Sequence, residues 1–103
     1  MNDHSLLNIR YVGFESLSDA GRRLEYDITG KGMSPRRAVV EIPAFAFSGP
    51  NRVTFQDSAA IGYEKLRREI SAGGLPEDPL FFILTSAEIK EYRPRRRAAE
   101  KKT

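Results

Sequence analysis

Alternation of apolar and polar positions marks the first elements of the chain. In residues 22–29, RRLEYDIT, Leu24, Tyr26 and Ile28 fall on one face, and Arg23, Glu25, Asp27 and Thr29 on the other. A period of two with one apolar face predicts a half-buried antiparallel strand. Residues 8–14, NIRYVGF, and 36–43, RRAVVEIP, carry the same pattern, with Ile9 and Tyr11 sharing a face in the first and Ala38, Val40 and Ile42 in the second. Asp19-Ala20-Gly21 and the Gly30–Pro35 stretch read as the turns between them, so these three strands form a meander.

The period then changes. Ala59, Tyr63, Leu66 and Ile70 recur at steps of four, three and four, an apolar stripe on a helix. Thr54 with Asp57 three residues on resembles a capping box, with Asp57 itself a rival N-cap, and Gly73-Gly74 ends the helix. Glu64–Arg68 and Lys65–Glu69 are spaced i,i+4 with the acid first in one pair and the base first in the other. Gly62 interrupts the helix interior, where close approach to a sheet would account for it. Leu80–Leu84 (LFFIL) is apolar on both faces, which predicts a central strand. Thr85-Ser86-Ala87-Glu88 is a capping box opening a short helix through about Tyr92. Between the third strand and the main helix, residues 44–53 are irregular, with Phe45 and Phe47 on one face if extended and a turn at Ser48–Asn51. The order is β-β-β-α-β-α. It is an α+β domain with a three- to four-stranded, mainly antiparallel sheet packed by one amphipathic helix. Parallel third and fourth strands would make the intervening helix a crossover. The expected organisation is a frayed 1–7, one domain over 8–92, and a loose basic tail over 93–103.

From Tyr11 to Tyr92 the chain resembles a group of short bacterial proteins. They join a β-meander to a QDxxxxxxxKLxRE-type helix, here Gln56-Asp57 through Lys65-Leu66-Arg67-Arg68-Glu69. They close with an aromatic strand running into LTxxE, here Leu84 through Glu88. That resemblance implies a compact cytoplasmic domain of bacterial type and no catalytic residue. The group carries no activity that could be transferred.

Charge narrows the reading. The 103 residues include 17 Lys and Arg against 14 Asp and Glu, a net +3. From Arg93 onward there are six cations and one anion, so the tail carries +5 and the rest of the chain −2. The basic balance that suggests nucleic acid therefore belongs to the tail. The composition, 40% hydrophobic and 30% charged, is that of one globular core. No apolar run approaches the ~20 residues of a membrane span. The first residues have no basic n-region or apolar h-region, so no secretory signal is expected. Cys is absent, which fits a reducing cytoplasm and removes thiol catalysis and thiolate metal sites.

Three groups of residues could carry function. Arg10, Arg36, Arg37, Arg67 and Arg68 lie towards one end of the predicted sheet and could form an anion-binding rim. Arg95, Arg96, Arg97, Lys101 and Lys102 of the tail could add phosphate contacts, together a nucleic-acid surface. The alternative for both is solvated charge. Phe45, Phe47, Phe81 and Phe82 are core or, where exposed, a patch for a protein partner or a second copy. The GKGMS loop at Gly30–Ser34 precedes a strand and lacks phosphate-loop spacing. His4 is the single histidine, and Asp57, Glu41 and Glu88 have better uses as caps or surface charge, so no catalytic, metal or cofactor residue is expected. The leading expectation is a non-enzymatic interaction module that acts through an exposed strand edge or aromatic patch. The alternative is a nucleic-acid accessory protein.

Overall fold

The computed structural model describes residues 7–74, 77 and 79–93. His4, the cations of the tail from Arg95 onward, most of the 75–79 turn and the side chain of Phe55 lie outside the described residues. The architecture is α+β. Strands β1 (Asn8–Ser16), β2 (Arg22–Thr29) and β3 (Arg36–Ile42) precede a 3-10 turn at Ala44–Phe47. Helix α1 (Phe55–Gly73), strand β4 (Leu80–Ile83) and helix α2 (Ser86–Tyr92) follow. The sheet has the order β1-β2-β3-β4, with antiparallel β1–β2 and β2–β3 pairs and a parallel β3–β4 pair reached through α1.

The alternating pattern decides which side of the sheet is covered. Leu24, Tyr26 and Ile28 of β2 and Ala38, Val40 and Ile42 of β3 are buried beneath the helices with Ile61, Leu66 and Ile70 of α1. Both helices lie on that side, and α2 packs on α1. No described helix or strand covers the opposite face of the sheet, the open face. Leu7 and Tyr92 also pack against the core, and the Arg93 guanidinium bonds the carbonyls of Asn51 and Arg52, so the folded unit extends slightly beyond residues 8–92 at both ends.

The caps follow the sequence. Thr54 Oγ1 accepts the Asp57 amide at 3.1 Å, which leaves Asp57 inside the first turn of α1. Gly74, at φ 81°, closes α1 by donating its N–H to the Ile70 carbonyl. Thr85 and Glu88 form the complete capping box of α2.

Three expectations need correction. The buried stripe of α1 runs through Ser58, Ile61, Lys65, Leu66 and Ile70, while Tyr63 is 39% exposed. The i, i+4 steps that include Tyr63 are consistent with a helix, but they do not fix its rotation. Steps of four from Ser58 run through Gly62, Leu66 and Ile70 and bring Gly62 onto the sheet, and that contact sets the rotation. A Cβ on Gly62 would lie 2.9 Å from Leu24 Cδ1 and 3.1 Å from Tyr26 Cζ. Next, residues 44–47 coil instead of extending, so Phe45 and Phe47 part company: Phe45 is exposed and Phe47 packs against the core. Finally, β4 is an edge strand. Leu80 and Phe82 turn to the helices, and Phe81 and Ile83 turn to the open face, where they are 42% and 57% exposed. An apolar run on both faces reads as a strand covered on both sides. Here the second cover is absent among the described residues.

Candidate functional site

The open face is built from the strand positions that alternate with the core. On β1, β2 and β3 it is a lattice of cross-strand ion pairs. Asp27 receives Arg10 Nη2 at 3.0 Å and Arg37 Nε at 2.8 Å from the two neighbouring strands. Arg37 also reaches Glu25 at 2.9 Å, and Arg23 holds Glu41 at 2.9 Å. The hydrogen bond to Asp27 leads the forces that push the Arg37 guanidinium above its usual value. These charges are satisfied within the sheet.

Towards β4 the lattice gives way to Val39, Phe81 and Ile83, which share one face by register. The edge itself is bare. Leu84 donates its N–H to the Glu41 carbonyl, so the even residues of β4 face β3. By alternation the amides and carbonyls of Phe81 and Ile83 point away from the sheet. No described strand lies beyond them. The other edge is treated differently. The β1–β2 register slips between Tyr11 and Gly13, making Val12 the extra residue of a bulge, and Arg10 and Glu15 place charge along that strand. Bulges and charges discourage edge pairing, and β4 has neither.

The helical side ties β4 and α2 to α1. Lys65, buried although charged, places Nζ 2.7 Å from both Glu69 and Glu88 and over the Phe82 ring. Burial disfavours its charge, yet the two carboxylates outweigh burial and leave its pKa above the ordinary value. Glu64 accepts from Arg67 at 2.6 Å and Arg68 at 2.7 Å, which hold its carboxyl down at about 2. Arg68 also bonds Glu91 and stacks on Tyr92.

The five-arginine rim is therefore divided. Arg10 and Arg37 share Asp27 on the open face, whereas Arg67 and Arg68 share Glu64 on the helical layer. Arg36, paired in register with Ile28, turns to the side opposite Arg37, as neighbours in a strand must. Arg22 is likewise parted from Arg23, its guanidinium lying 4.9 Å from the Phe14 ring centre and 4.8 Å from that of Phe47.

The four phenylalanines occupy different environments. Phe47 and Phe82 pack against the core, Phe81 sits on the open face, and Phe45 is 57% exposed beside a cleft. That cleft, of about 410 Å³, opens where the 3-10 turn after β3 meets α2 after β4. Phe45, Ala46, Pro50 and Ile89 give it an apolar lining, and Lys90 and Arg93 stand beside them.

No group of three or more His, Cys, Asp or Glu among the described residues could hold a metal ion. Glu41 and Glu88, the candidate carboxylate partners of Asp57, are instead bound by Arg23 and Lys65. No described helix is long and apolar enough to cross a membrane. Ile83, the most exposed residue of the bare edge, escaped the sequence reading. An apolar run on both faces reads as a central strand, so the sequence does not single out Ile83. Comparison with family models, curated proteins and solved structures finds no match for this chain.

Proposed function

We propose that the protein is a non-enzymatic interaction module that self-associates through its β4 edge. The supporting observation is the pairing of outward backbone groups with exposed apolar side chains at Phe81 and Ile83. An antiparallel two-fold pairing centred on Phe82 satisfies both sets. Phe81 of one copy would exchange two hydrogen bonds with Ile83 of the other, and the reverse, while the same two side chains meet on the open face. The occupant is a second copy because the surface is self-complementary. Its charges are already paired within each sheet, so what remains is apolar stripe and strand edge, which an identical edge completes.

Four residues of strand make a small contact, so the dimer is weak, with Kd of roughly 10 µM to 1 mM. Sedimentation velocity across that concentration range should show a monomer–dimer equilibrium. Ile83→Glu should return the chain to monomer without unfolding it, since the side chain it replaces lies outside the core. A wild-type chain that stays monomeric at about 1 mM, or an Ile83→Glu chain that dimerises as before, would overturn the proposal.

A further inference from the structure

The cleft at the other end of β4 carries a second, independent inference. It lies beyond the carboxyl ends of β3 and β4, the parallel pair, between the segments that follow each strand. The crevice outside such strand ends is a recurrent ligand position in sheets with parallel strands. Its volume of about 410 Å³ falls inside the ~300–1,000 Å³ range of small-molecule sites.

Its charge is one-sided. The lining includes Lys90 and Arg93 and no carboxylate. The acids of α2 are turned elsewhere: Glu88 is bound to Lys65 and Glu91 to Arg68, both on α1. Lys90 makes no ion pair with a described residue, in contrast to Arg10, Arg23, Arg37, Lys65, Arg67 and Arg68, each of which meets at least one acid. Arg93 has two of its five N–H groups turned to the protein, its terminal nitrogens lying 2.6 Å from the Asn51 carbonyl and 3.4 Å from that of Arg52, so Lys90 is the lining cation with no bond to a described residue. A phosphate dianion is best held by a free guanidinium fork. One unpaired ammonium with a hydroxyl nearby suits a single carboxylate instead. Ser86 supplies a hydroxyl, Ser48 Oγ being turned to the Phe45 carbonyl, and Phe45, Ala46 and Ile89 supply an apolar surface beside it.

We infer that this cleft binds a small aromatic monocarboxylate, with the ring against Phe45 and Ile89 and the carboxylate at Lys90. The test is an NMR titration of the isotope-labelled chain with 3-phenylpropionate and, separately, with its neutral amide. Saturable shifts are expected at Ala46, Ile89 and Lys90, with the amide at least about threefold weaker, the scale of a partly solvated ion pair. Lys90→Gln should abolish the preference for the acid, and Phe45→Ala should weaken both ligands. Both positions are exposed, so the spectra of the variants should match wild type away from the cleft. The inference is overturned if no saturable shift occurs by about 10 mM, if acid and amide bind equally, or if Lys90→Gln keeps the preference.

Discussion

Replacing Gly62 with Ala sets helix propensity against packing. In an exposed helix interior this change stabilises by about 1 kcal/mol. In α1 the new Cβ would stand 2.9 Å from Leu24 Cδ1 and closer still to the Tyr26 hydroxyl. Neither neighbour can swing away: both are fully buried, and the hydroxyl is held by a 2.7 Å hydrogen bond to the Ala59 carbonyl. The helix must lift, at about 1–3 kcal/mol for overpacking, or the hydrogen bond must break, at about 1–3 kcal/mol for the groups left unsatisfied. A contact with two immobile core groups belongs in the upper half of those ranges. Net of propensity, a loss of about 1–2 kcal/mol is expected. Urea unfolding followed by circular dichroism measures it. Tyr26→Phe removes the obstructing oxygen, so Gly62→Ala should be milder in that background by about 1 kcal/mol. A Gly62→Ala protein more stable than wild type, or a double-mutant cycle that is strictly additive, would refute the close-approach reasoning.

Two further outcomes follow from the charged groups. Lys65→Met should destabilise by about 1–3 kcal/mol, because Glu69 and Glu88 lose their common cation, and adding Glu88→Gln should recover part of it. Denaturant curves in which Lys65→Met matches wild type would show that the cluster contributes nothing. Glu64 titrates at about 2 in the fold against an ordinary 4.5, so its contribution is present above pH 4.5 and drains away as the pH falls towards 2. Calorimetry of Glu64→Gln should therefore show a shallower fall of Tm between these pH values. An unchanged slope would contradict the assignment, and solvent screening keeps the effect modest.

Most of the fold was legible because it rests on local rules. The alternation in RRLEYDIT, the caps at Thr54 and Thr85 and the stop at Gly74 each depend on a few neighbouring residues, and the structure has each of them. What was not legible depends on distant parts of the chain. The rotation of α1 is set by Gly62 against Tyr26, which lies thirty-six positions earlier, and no local period reports that contact. Strand order is the same kind of fact. LFFIL is apolar on both faces whether or not anything covers Phe81 and Ile83, so periodicity alone cannot tell a buried centre from a bare edge. The arginine rim failed for a simpler reason. Arg36 and Arg37 are adjacent in a strand, and adjacency there means opposite faces. Lys65 read as one half of a surface pair, and its second partner, Glu88, came from a helix whose placement the sequence left open.

The parallel β3–β4 pair also imposes an order in time. β1, β2 and β3 are joined by short turns, so the meander can close over brief lengths of chain. β4 reaches β3 only after the whole of α1 has been traversed, and closing that longer loop carries the larger entropic cost. Its own contribution is four residues against a single neighbouring strand. The meander can therefore assemble before β4 arrives, whereas β4 has no ladder to join until β3 is in place. The last strand to dock is also the one left at the open margin, so late folding and surface availability meet in the same four residues.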